Sequence, residues 1–230
     1  MRGRRHRRVV LESADPAATM EPTPAPLTFL LSPAHAGGAR ASLLLRKEAG
    51  FPLAVRLRSA DGVPIGELYA FMSGLYFRGK LAYASAFARP PGSVRVIVPG
   101  RGLVSPTTPV TLDELEAIAR VPVDLEHAGY RDALAHASHQ MASGLPGDVQ
   151  VVLLGSIATD KYLSVLTAAF GDRLRFPVEF VGRGDMSRGG LLLRQVAGQR
   201  ELDYVRIGEV LRRGARPPKL PPLVRTVTRS

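Results

Sequence analysis

Apolar positions recur along this chain in two rhythms. The runs Leu27 to Ser32 (LTFLLS), Val94 to Val98 (VRVIV), Val149 to Leu154 (VQVVLL), Leu174 to Val181 (LRFPVEFV) and Glu201 to Ile207 (ELDYVRI) read as strands. Three of them are almost continuously apolar, as strands are when both faces of a parallel sheet are covered. Between them a helical spacing predicts helices over 41–47, 51–58, 65–72, 75–88, 112–119, 130–142, 162–170 and 190–197. Thr111 followed by Glu114 is a capping box for the fifth. Alternation of the two rhythms predicts one α/β domain over 27–211, a three-layer sandwich with a mainly parallel sheet of about five strands. The Pro-, Ala- and Arg-containing stretch 1–26 is expected to be a disordered arm, and 212–230, with its RPPKLPPLVR, a strap across the domain.

Four strands are followed by glycine-rich loops: 33–40 (PAHAGGAR), 99–102 (PGRG), 155–161 (GSIATDK) and 182–190 (GRGDMSRGG). In a parallel sheet all four lie at the carboxyl ends of the strands, where open α/β sheets bind ligands. Their glycines let backbone N–H groups approach a ligand, and the last two loops lead into helix N-termini. Arg40, Arg101, Lys161, Arg183 and Arg188 add full positive charge there, predicting an anionic ligand, phosphate above all, in one guanidinium-lined cleft. None of the loops is a Walker A string, and GRGDMSRGG has the wrong spacing for a dinucleotide fingerprint.

Proton transfer at that edge would fall to Asp185, Asp160 or His35. Ser156, Thr159 and Ser187 are candidates for holding phosphate, while capping a helix is the competing role for Asp160, Asp185 and Ser187. Gly155-Ser156 lacks the GxSxG elbow of a serine hydrolase. Lys80 falls inside the apolar arc of LYFRGKLAYASAFA, so it must snorkel, find an acid or lose its proton; reaching the ligand edge is the functional alternative. Six aromatics crowd the same region (Tyr69, Phe71, Tyr76, Phe77, Tyr83 and Phe87), as core packing or as a base-stacking wall. Asp132, His136 and His139 have ligand-like spacing, but they lie opposite the stripe Tyr130, Leu134, Ala137 and Met141, so no metal site is expected.

The net charge of +11 suggests nucleic acid until its distribution is read. Residues 1–19 hold five Arg against Glu12 and Asp15, and 212–230 hold Arg212, Arg213, Arg216, Lys219, Arg225 and Arg229 with no acid, leaving 20–211 close to neutral. The absence of cysteine excludes disulfide scaffolds, thiolate zinc sites and cysteine nucleophiles, and makes the cytoplasm the default compartment. The basic opening RGRRHRRVV is not followed by the apolar segment of an export signal, Met20 is an alternative start, and no apolar run approaches the roughly 20 residues of a membrane span.

The strings LSPAHAGGARASLLL, SGLYFRGKLAYASAFA, VIVPGRGL, VVLLGSIATDKY and FVGRGDMSRGGLLLR resemble a family of uncharacterised bacterial proteins across nearly all of 28–220. More locally, VQVVLLGSIAT resembles the strand-then-LGxxA segment of uracil-DNA glycosylase-like α/β domains. The order of LSPAH, VIVPGRGL and VVLLGS is similar to related domains fused to archaeal tRNA-guanine transglycosylases. The glycosylases' water-activating segment and HPS loop have no counterpart, so the resemblance implies a fold and a nucleotide-type ligand without their chemistry. With no complete catalytic signature, three readings remain. They are an enzyme acting on a phosphorylated or nucleotide-like ligand (a base in nucleic acid included), a nucleic-acid-binding module using basic tails, and a protein-interaction scaffold. The sequence names no cofactor and no oligomeric state; the expected partner is an anionic small molecule or nucleic acid, with no membrane.

Overall fold

A computed structural model of the chain describes residues 25–34, 36, 38–210, 214–215, 217–218 and 220. A mainly parallel sheet of six strands runs through it, in the order β4-β3-β1-β6-β7-β8. These are β1 (Leu27–Leu31), β3 (Val94–Val98), β4 (Gly102–Val104), β6 (Gln150–Leu154), β7 (Leu174–Pro177) and β8 (Tyr204–Arg206). β1 is parallel to β3 and β6, and β6 to β7, while β4 and β8 run antiparallel at the two edges. A separate two-stranded ribbon joins β2 (Val63–Pro64) to β5 (Pro109–Val110).

The register sets Phe29 beside Val94 on one side and Val152 on the other, and Leu31 beside Val96 and Leu154. Every residue of β1 and all but the first of β6 are buried, which is why these runs carry no polar alternation. Eight helices stand among the described residues: α1 (Ala39–Leu45), α2 (Pro52–Leu57), α3 (Ile65–Ser73), α4 (Leu75–Phe87), α5 (Leu112–Ala119), α6 (Ala128–Gly144), α7 (Leu163–Phe170) and α8 (Asp185–Ala197). The capping box is in place at α5, where Glu114 Oε2 accepts from Thr111 N at 2.8 Å and from its hydroxyl at 3.2 Å.

Three features differ from the pattern read along the sequence. The sheet has one strand more than the five runs, because Pro99 to Gly102 is a hairpin turn that folds β4 back on β3. Gly100 and Gly102 both have φ near +73°, and a side chain on Gly102 would strike the Ala133 carbonyl of α6. β7 stops at Pro177, which has no N–H for the ladder; the chain then turns through Val178–Phe180 instead of extending to Val181. α8 begins at Asp185, five residues before the expected start. Its Gly189 lets α4 pass close: a Cβ there would lie 2.8 Å from the Leu75 carbonyl oxygen, and one on Gly79 of α4 would lie 2.8 Å from that of Gly189. Glycine in a helix interior is normally unfavourable, and here it buys backbone contact between two helices.

Candidate active site at the carboxyl edge of the sheet

From β1 the chain crosses to β3 on one side and later returns to pair β6 on the other, so the loops leaving β1 and β6 diverge from adjacent strand ends. That is a topological switch point, the place where a crevice opens in α/β sheets. A cavity of about 250 Å³ occupies it. Its walls are Ser32 and Ala34 after β1, Ser156, Lys161 and Tyr162 after β6, Tyr76 of α4 and Asp185 at the start of α8. Gly155 permits this convergence, since a Cβ there would lie 2.6 Å from Tyr162 Oη and 2.9 Å from Ser32 Cβ.

Ser32 continues the ladder by donating its N–H to the Leu154 carbonyl at 3.1 Å, which fixes its side chain at the strand end. The Tyr162 hydroxyl donates to the Ser156 carbonyl and accepts from the Ser156 N–H, both at 2.7 Å, clamping the loop after β6; burial pushes its phenol up to about 12. Tyr76 lines the cavity, yet its buried hydroxyl has no hydrogen-bond partner among the described residues.

Lys80 is the deepest charged group of the site. It is only 1% exposed, and its Nζ donates to the carbonyl oxygen of Ser32 at 2.7 Å and to Ser32 Oγ at 2.9 Å. The amine lies 4.6 Å from the ring centre of Tyr76 and 4.8 Å from that of Phe77. Among the described residues no carboxylate comes within ion-pair distance of it. Burial lowers its pKa from 10.5 to about 7, with Asp185 opposing the shift and Arg188 adding to it. Snorkelling, the ordinary fate of a lysine on an apolar arc, does not occur here, because Lys80 points inward to the end of β1.

The structure gathers Ser156, Lys161 and Asp185 around one cavity with Lys80 beneath it. Ser156 and Asp185 also border an adjoining hollow lined by Arg183 and Arg188. The other candidates stand apart. Arg101 lies in the β3–β4 hairpin, bound to Glu114 at 2.7 Å, and Arg40 reaches the Phe71 carbonyl at 3.3 Å. Arg188 is buried, donating Nε and Nη2 to the Phe180 carbonyl, with Nη1 3.6 Å from Asp185 Oδ1. Arg183 donates to the Glu179 carbonyl at 2.9 Å and to Ser187 Oγ at 3.3 Å. Among the described residues, then, no arginine lines the inner cavity, and the charged ones that do are Lys161 and Asp185. Asp160 Oδ1 accepts from the Ser164 N–H at 2.9 Å, tying down the first turn of α7, and Thr159 is exposed. His35 and most of both basic tails lie outside the described residues.

Ser32, Tyr76 and Tyr162 belong to the site although the loop pattern did not select them. The available signal was Lys80: a lone amine in an apolar arc needs an oxygen, and the strand end facing that helix supplies one. Most of the remaining aromatics on 69–87 are core, Tyr69, Phe77 and Tyr83 being fully buried. Asp132, His136 and His139 are exposed on α6, and among the described residues no group of three or more His, Asp or Glu is placed to hold a metal ion. No described helix is long and apolar enough to cross a membrane. Comparison with family models, with curated proteins and with solved structures finds no match.

Proposed function

We propose that the chain is an enzyme acting on a phosphorylated or nucleotide-like small molecule at the carboxyl edge of its sheet, and that it works in the cytoplasm. One observation carries this reading: at the switch point Ser32, Ser156, Lys161, Tyr162 and Asp185, from three separate stretches of chain, surround a single cavity over a buried lysine. Right-handed crossovers would set α3 and α4 on one face of the sheet and α6 and α7 on the other, a three-layer arrangement that leaves this edge open. The anionic part of the ligand belongs in the outer hollow, against Arg183, Arg188 and the first turn of α8, with Lys161 on the wall of the inner cavity. The reacting part then projects toward Ser32.

Thermal-shift measurements on the full chain against nucleotides, nucleobases and sugar phosphates test the reading. A ligand at 100 times its Kd adds about 2.7 kcal/mol, which for a chain of this length raises Tm by roughly 5–10 °C. The shift should fall in Lys161→Ala and Arg183→Ala. A panel in which no anionic compound raises Tm contradicts the reading.

A further inference from the structure

We propose that Ser32 and Lys80 are a nucleophile and its general base, and that this site hydrolyses a carboxylic ester through an acyl-Ser32 intermediate. The inference rests on the crevice being an active site, and it is independent of the phosphate placed in the outer hollow. Ser32 is at the carboxyl end of the central strand, nearly buried yet on the wall of the cavity, with its Oγ 2.9 Å from Lys80 Nζ. That is the reach and order of a serine activated by an amine.

Packing does not require a lysine at this position, since a methionine would fill the space between Tyr76, Phe77 and the end of β1 without burying an amine. A structural lysine this deep is normally paired with a carboxylate, whereas among the described residues Lys80 has the two oxygens of Ser32 and the ring faces of Tyr76 and Phe77. Among the described residues, the charged groups acting on it are Asp185 and Arg188 of α8, and the Tyr76 ring of its own helix lies 4.6 Å away. Their balance, dominated by burial, leaves an amine that titrates at about 7 and is therefore available as a base at neutral pH.

In the neutral state Nζ keeps its bond to the Ser32 carbonyl, and its lone pair takes the Oγ proton as Oγ bonds to the ester carbonyl carbon. The carbonyl π pair moves to oxygen, facing the ammonium of Lys161 on the cavity wall. Collapse of this tetrahedral adduct expels the alkoxide, which takes the proton from Lys80 and leaves as the alcohol. Water then attacks the acyl-serine with Lys80 again accepting and returning the proton, so that ester plus water gives acid plus alcohol. A carbonyl centre suits the cavity better than a phosphorus one, because Asp185 opposes a dianionic group there and a single lysine cannot neutralise it.

A fluorophosphonate probe, which phosphonylates an activated serine with loss of fluoride, tests the pair on the full chain, read by intact mass and peptide mapping. The expected result is one adduct, on Ser32, formed at a rate that rises with pH through about 7 to a plateau. Ser32→Ala should abolish it, and Lys80→Met should slow it by about 100-fold or more while melting cooperatively. An unmodified Ser32, a rate independent of pH, or a folded Lys80→Met that labels at the parental rate overturns the proposal; the pH profile stands even if that variant fails to fold. Labelling of Ser32 with no phosphorylated ligand bound refutes the ligand reading alone. Ligand binding without labelling refutes the nucleophile alone.

Discussion

Replacing Lys80 by methionine is expected to stabilise the protein at pH 7 and to destabilise it at pH 10. Burial moves the amine from 10.5 to about 7, and at 1.36 kcal/mol per unit this penalises the folded state by about 4 kcal/mol at pH 7, where the folded amine is half neutral and the unfolded one fully charged. Methionine removes that penalty and fits the same aromatic surroundings. It also strips the donor from the Ser32 carbonyl and Oγ, which costs about 2 kcal/mol. The net gain at pH 7 is therefore about 2 kcal/mol. Between pH 7 and about 10 the unfolded chain binds more protons at this residue than the folded one, so as pH rises the parent gains stability relative to the variant. By pH 10 the difference should have reversed to about 1 kcal/mol in favour of the parent. Urea unfolding of both chains at the two pH values measures it, the m-values showing whether the same surface is exposed. A stability difference that does not change with pH would refute the buried, readily deprotonated amine.

Tyr162→Phe should lose about 1–3 kcal/mol, because the Ser156 N–H and carbonyl lose their shared partner, and should weaken ligand-induced shifts of Tm. Gly189→Ala places a methyl group against the Leu75 carbonyl oxygen and Tyr76 Cα and is expected to cost about 1–3 kcal/mol by overpacking α4 against α8; Gly50→Ala, with open space around it, should leave the melting curve within about 0.5 kcal/mol of the parent. Thr111→Ala removes one arm of the α5 capping box and should lower stability by about 1 kcal/mol in chemical denaturation. Removal of residues 1–19 should leave small-ligand binding unchanged in calorimetry; a loss of that binding would move the recognition surface into the basic arm.

Much of the fold was legible because burial on both faces erases polar alternation: LTFLLS and VQVVLL read as interior strands and are β1 and β6. The glycines were harder. Gly100 and Gly102 turn a hairpin, Gly155 makes room for Tyr162, and Gly189 lets two helices touch, yet in sequence all of them read as ligand loops. The difference lies in which backbone comes near, a tertiary fact with no local signature. The arginines illustrate the same limit. Their number near the strand ends predicted a guanidinium cleft, but Glu114 holds Arg101 and the Phe180 carbonyl holds Arg188. Lys80 was legible because an amine in an apolar arc breaks a local rule, whereas Ser32 was not, since a serine ending a strand breaks none.

The account depends on the protonation of one amine, and the chain is favourable for observing it: its lysines are Lys47, Lys80, Lys161 and Lys219. Titration of lysine-labelled protein by NMR, with Lys80→Met assigning the signal, should show Lys80 changing at about 7. A Lys80 resonance that stays unchanged until the ordinary lysine range, about 10.4, would contradict the account.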